Sequence, residues 1–268
     1  EEYQAKEEEI EEVSFDNKED LKDYITKYCE EHGWESDLNH IDVSKITDMS
    51  HLFSDVNSYF KGDISEWDVS NVTNMAFMFA GSHFDDDLSG WNTSKVENMS
   101  HMFMDSKFNG DISNWDVSNV KDMSYMFKLS NFNQPLDKWN TSKVEDMSYM
   151  FNGAQFNQPI GNWDVSNVKS MSKMFLDSLF KQDISNLLLQ AENTSHMLDG
   201  SLLEGAELKS KDNPKEGAAP YSIPEGTEQG MANEPTPLEG YGKYWNFVSA
   251  KILALDLAGY EISPEVKD

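Results

Sequence analysis

The residues of this chain that could do chemistry are spread at intervals instead of gathered. Six histidines stand at positions 32, 40, 51, 83, 101 and 196, without the close spacing that lets imidazoles share a metal ion. Cys29 is the only cysteine, so neither a disulfide framework nor a cysteine-based metal motif can be built. The glycines form no phosphate-cradling loop. With 49 acidic residues, any single pair of carboxylates says nothing about acid–base catalysis. The expectation is a non-enzymatic chain with no catalytic, cofactor-binding or metal-binding residues.

What the intervals do contain is a register. Trp67, Trp91, Trp115, Trp139 and Trp163 stand 24 residues apart, and each opens a segment W-[DN]-[VT]-S-[NK]-V-x-x-M-[SA]-x-M-F. Positions are counted from this Trp. A unit so short cannot bury its apolar face alone and becomes stable only when copies stack. The Trp, Met and Phe rows are therefore expected to be core, with the five tryptophans holding the frame. Ile41 opens an earlier unit, 26 residues ahead of Trp67, whose two extra residues fall near Val56–Tyr59. After Trp163 the pattern decays: Leu187 takes the Trp position, and the Met segment returns one residue out of register.

One row varies inside this constant frame. Trp+10 reads His51, Phe77, His101, Tyr125, Tyr149 and Lys173. A repeat scaffold presents a binding surface in this way, and Tyr and His make good contacts, so these six are the candidate partner-binding residues. The competing reading is an inert, half-exposed flank. Trp+1 alternates Asp68, Asn92, Asp116, Asn140 and Asp164, while Trp+4 alternates Asn71, Lys95, Asn119, Lys143 and Asn167, so the full period is 48 residues. Identical acids on adjacent rungs would lie about 5 Å apart and repel; an intervening Asn relieves this, and Lys95 and Lys143 can pair with flanking acids. These rows read as a stack-stabilising polar ladder. Calcium fits poorly, because no unit offers a dense loop of oxygen ligands.

The elements that must position these rows follow from spacing. Val at Trp+5, Met at Trp+8 and Met-Phe at Trp+11 and Trp+12 predict one short helix per unit. Ser at Trp+3 is a candidate N-cap, with capping boxes at Ser94–Glu97 and Ser142–Glu145; an Asp or Asn at Trp+7 offers an alternative start. The stretch containing Ile112, Trp115 and Val117 predicts a short strand. The fold class is thus an α/β repeat solenoid, a leucine-rich-repeat-like curved stack with one strand and one helix per coil.

Residues 1–40 read as an N-terminal helical cap, with Leu21, Tyr24, Ile25 and Tyr28 on one face, Asp16 or Asn17 as N-cap and Gly33 as the stop. Residues 41–199 are the repeats. Residues 200–240 form a flexible Pro/Gly/Glu-rich linker, and 241–268 a helical segment with Trp245, Val248, Ile252 and Leu255 on one face, which either caps the stack or docks a partner.

Charge narrows the function. The formal net charge is −28, and no arginine is present. Nucleic acid needs a cationic stripe that releases counterions, so it is excluded as a partner, and anionic membrane surfaces are disfavoured. No apolar run reaches the length of a transmembrane segment. The chain opens Glu1-Glu2-Tyr3, without a basic and then apolar leader, so it is either soluble or has lost an export signal.

Residues 111–127 (DISNWDVSNVKDMSYMF) and Phe156–Ile160 resemble the BspA-like leucine-rich-repeat-like bacterial surface protein family, which includes mycoplasma-type surface lipoproteins. The resemblance spans about 41–199. It implies a solenoid, display at the cell surface or secretion, and adhesion through binding of a host or bacterial protein or glycan. It carries no binding residue onto this chain. Two other readings compete: a cytoplasmic acidic decoy that imitates nucleic acid, and a scaffold whose segment 241–260 docks a partner.

Overall fold

The computed structural model describes residues 12–188, 190 and 194–201. Of the linker expected over 200–240 only residues 200 and 201 are described, and the rest of it and the expected C-terminal helical segment lie outside the described residues.

At the N-terminal end the Asn17 side chain accepts the backbone N–H of Asp20 and starts helix α1 (Lys18–His32). Gly33 ends it at φ 104°, with its N–H donating to the Cys29 carbonyl. Leu21, Ile25 and Cys29 form its buried face. Before it, strand β1 (Val13–Ser14) pairs in parallel with strand β2 (Ile41–Asp42), so a pre-repeat segment lies beside the first coil. Lys18 Nζ donates to Asp48 and Ser50, Lys22 Nζ to the His51 carbonyl, and Thr26 to Asn57. The helix thus covers the first coil at its Trp+7 to Trp+10 positions, where an interior coil would have a neighbour.

Successive repeats lie side by side, one residue pair per interface forming a parallel bridge: Asp48, Asn74, Asn98, Asp122, Asp146 and Ser170, all at Trp+7. Alternate N–H groups then cross to the next coil. Met99, His101 and Phe103 donate to the carbonyls of Asp122, Ser124 and Met126, each at 2.9 Å. Within one coil the remaining bonds are turns, as in Trp115 N–H to Ile112, Val120 to Val117, Met126 to Met123 and Lys128 to Tyr125.

The helix expected in every unit is therefore absent, and among the described residues only α1 and a short helix α2 (Ser185–Leu188) are α-helical. An α-helix would send the Trp+12 N–H back to Trp+8. Here it goes to the neighbouring coil, and the chain achieves this by taking a left-handed residue at Trp+10 and another at Trp+14. Consecutive turns place Val, Met and Met-Phe inward at the same three- and four-residue spacing as a helix. The invariant Ser at Trp+3 is not an N-cap. Its N–H donates to the side chain at Trp+1, as in Asp116–Ser118 and Asn92–Ser94. The residue at Trp+7 does the same for Trp+9, as in Asp122–Ser124. Nor does a strand form around Trp115, because that segment is spent in turns; the cross-coil pairing sits seven residues later.

Each of the five repeat tryptophans has a reason to be Trp. Its indole N–H donates to the carbonyl three residues before the Trp of the preceding coil, Trp115 to Leu88 at 2.9 Å and Trp139 to Ile112 at 3.1 Å. The Leu88 carbonyl also accepts the Trp91 backbone N–H, so both its lone pairs are used. The five tryptophans are 1–4% exposed. Continuous ring stacking belongs instead to phenylalanine: Phe53, Phe79, Phe103, Phe127, Phe151 and Phe175 stack at 5.3–5.7 Å.

Tryptophan rings stack in pairs, Trp91 on Trp115 and Trp139 on Trp163. The same interfaces carry Thr93 and Thr141 hydroxyls donating to Asp116 and Asp164 carbonyls, and the ion pairs Lys121–Glu97 and Lys169–Glu145. The 48-residue period is thus a two-coil unit. Lys95 and Lys143 make no close ion pair; they donate to Asn71 and Asn119 of the preceding coil and act on the flanking Asp68 and Asp116 only through charge at longer range.

The irregular ends fit the same frame. The two inserted residues of the first coil form a 3-10 turn at Asp55–Tyr59. In the last coil Lys173, Phe175 and Asp177 donate to Ser195, Met197 and Asp199, so the ladder continues despite the one-residue slip.

Candidate functional site: an aromatic column on left-handed residues

All six Trp+10 residues fall in one line. His51 stacks on Phe77 at 4.6 Å, Phe77 on His101 at 4.1 Å, His101 on Tyr125 at 4.4 Å and Tyr125 on Tyr149 at 4.5 Å, with interplanar angles of 7–12°. Lys173 Nζ closes the line 5.3 Å from the Tyr149 ring centroid. Coil spacing sets the separation, since side chains at equal register on adjacent rungs sit about 5 Å apart. His51 is exposed, and the other five are half-buried.

The backbone makes this row unusual. Every Trp+10 residue has φ between 56° and 60°, and His196 at φ 55° holds the equivalent place in the last coil. Such a conformation favours Gly, Asn or Asp and costs other residues on the order of 1 kcal/mol. Trp+14 shares that geometry and mostly obeys it, with Gly81, Asp105, Gly153, Asp177 and Gly200; Leu129 departs. No Trp+10 residue is Gly, Asn or Asp, and although His tolerates the conformation, Phe77, Tyr125, Tyr149 and Lys173 do not. Ring stacking contributes about 0.5–1.5 kcal/mol per pair, enough to offset the strain but not to explain why rings were chosen over glycine.

Electrostatics follow from the packing. Burial holds the His101 imidazole below its ordinary value, with Asp122 opposing and Lys128 reinforcing the shift, and its Nδ1 is buried without a hydrogen-bond partner. Burial raises the Tyr125 hydroxyl, helped by Tyr149. A hydrogen bond to Tyr149 raises Lys173. Among the described residues no cluster of three or more His, Cys, Asp or Glu could hold a metal ion, and no helix is long and apolar enough to cross a membrane.

Three features of this surface were missed from sequence. His196 takes the equivalent left-handed place only through the slipped register of the last coil, which a fixed 24-residue count passes over. Lys128 lies beside the stacked Tyr125 and Tyr149 rings, at 5.2 and 5.5 Å. Its signal was a Lys three residues after a column Tyr, readable only once the turn geometry is known. The ion pairs at Trp+6 have their signal in the alternation Glu97, Lys121, Glu145, Lys169.

Comparison with curated proteins and with solved structures gives no match. A family model described as Mycoplasma protein of unknown function, DUF285, matches residues 20–130 and 106–203, from α1 through the last coil. A repeat unit that carries its own stacking bonds accounts for two overlapping matches along one chain, and the chain belongs to this DUF285 family.

Proposed function

We propose that the chain is a non-enzymatic repeat solenoid of the BspA-like kind, displayed at a bacterial surface, and that it binds a protein or glycan through the Trp+10 column. The observation that carries this reading is the choice of His51, Phe77, His101, Tyr125, Tyr149 and Lys173 at six left-handed positions where glycine would serve the backbone better. The family match is consistent with a mycoplasma-type repeat protein.

The test uses glycan and host-protein arrays, with and without calcium, probed by the wild-type chain and by a Phe77→Gly/Tyr125→Gly variant. Glycine suits φ near 59° at both sites, so the variant is expected to stay folded and lose the array signal. An unchanged signal, or a variant that binds normally but melts far earlier, would assign the column to stability alone. Display is checked separately, by protease shaving of intact cells.

The acidic-decoy reading finds no support in the ladder, where Glu97 and Glu145 are neutralised by Lys121 and Lys169.

A further inference from the structure

The C-terminal half of the column differs from the rest. Lys128 Nζ lies beside the stacked Tyr125 and Tyr149 rings, 5.2 and 5.5 Å from their centroids, and Lys173 Nζ lies over Tyr149. Among the described residues neither ammonium has a carboxylate within ion-pair distance; Lys95 and Lys143 share that lack but donate to Asn71 and Asn119, whereas these two lie against rings. Asp146 and Asp199 act on Tyr125 and Lys173 only from further off.

Beside Lys128 stands the other departure from backbone preference. Leu129 is 43% exposed and adopts φ 58°, in a row that elsewhere holds Gly or Asp. It leans over the bare backbone of Gly153, where a Cβ would come within 2.6 Å of its Cδ2. An exposed Leu is ordinary by itself, but this one is held on a left-handed backbone that a branched side chain strains.

We propose that Tyr125, Lys128, Leu129, Tyr149 and Lys173 form a docking site for an acidic peptide segment of a partner protein, a carboxylate meeting the two ammoniums and an apolar side chain covering Leu129. This rests on the column being a binding face. Two lysines lying against tyrosine rings keep N–H donors for a carboxylate, and ammonium–carboxylate hydrogen bonds are the strong, charge-assisted kind. The chain's large negative charge does not forbid it, since at physiological salt charges beyond about 8 Å are largely screened. A glycan fits less well. The column rings face one another and the lysines, which leaves edges and not faces for a sugar to stack on, and Leu129 offers no hydrogen bond.

The test pans a random peptide library at physiological salt against the whole chain. Enriched peptides are expected to place Asp or Glu beside Leu, Ile or Phe, and to lose at least tenfold in affinity both for Lys128→Gln/Lys173→Gln and for Leu129→Gly. Leu129→Gly is expected to melt no lower than wild type, because glycine suits that conformation, so lost binding cannot be unfolding. Three results would overturn the site: no enrichment of acidic peptides, equal binding by both variants, or displacement of the peptides by sialyllactose. Peptides that ignore these variants but fail on Phe77→Gly/His101→Gly would remove this site while leaving the column's binding role intact.

Discussion

At the scale of single residues, two groups in the stack make opposite demands on their surroundings. The Trp115 indole is 3% exposed and donates to the Leu88 carbonyl. Trp115→Ala is expected to destabilise by about 3–5 kcal/mol through lost burial and a cavity. Trp115→Phe should cost less than half of that, since the Leu88 carbonyl keeps the Trp91 N–H and is not orphaned. Urea unfolding of both variants checks the order; equal losses would mean that the indole bond, not burial, dominates. His101 is sandwiched between Phe77 and Tyr125 with Nδ1 buried and unpartnered. Its folded-state pKa lies below the unfolded value of about 6.5, so the unfolded chain binds the proton more readily. Stability from this group is present above that value and falls as pH drops below it toward the folded pKa. His101→Phe is expected to flatten the stability-against-pH slope just below pH 6.5, read from melting temperature; an unchanged slope would assign it to other groups, among them His40, which burial also lowers.

At the scale of elements, the 24-residue period was legible because identical side chains at equal register must meet in a stack. The element inside the period was not. Spacing of three and four is shared by a helix and by consecutive turns, and what separates them is where the N–H groups go, which no side-chain pattern records. The left-handed residues could have been a signal at Trp+14, where Gly81, Gly153 and Gly200 recur. At Trp+10 the rings that fill the strained positions hide it. The candidate site was legible as a variable row, but its continuity as a stacked column was not, since that depends on the turn geometry. The helix α1 could be read at both ends, because Asn17 and Gly33 act locally. Its junction with the first coil is tight: a Cβ on Gly62 would collide with the Ser36 carbonyl, while one on Gly90 meets only the Ser65 carbonyl at 3.9 Å. Gly62→Ala is expected to cost about 1–3 kcal/mol by overpacking, and Gly90→Ala to stay within about 0.5 kcal/mol. Equal melting temperatures would show that the junction yields.

At the scale of the whole molecule, the two-coil unit sets how the stack can grow. Charge alternates along Trp+6 as Glu97, Lys121, Glu145, Lys169, while Trp+4 alternates Lys with Asn and Trp+2 alternates Thr with Val. Each Lys therefore finds an acceptor one coil away, Lys121 on Glu97 and Lys143 on Asn119. The exposed ion pair is itself worth little, with both side chains 54% exposed. Misregister is worse, because like charges then lie directly opposite. Duplicating residues 91–138 adds a complete pair and keeps every alternation. Duplicating 91–114 alone sets one Glu97 beside the next, one Lys95 beside the next, and Thr against Thr. In a stack whose stability is nearly a sum of nearest-neighbour interfaces, the paired insertion is expected to raise the urea midpoint, and the single insertion to gain well under half as much. A single insertion that gains a full half would mean that the interfaces are interchangeable and that the 48-residue period has no energetic content.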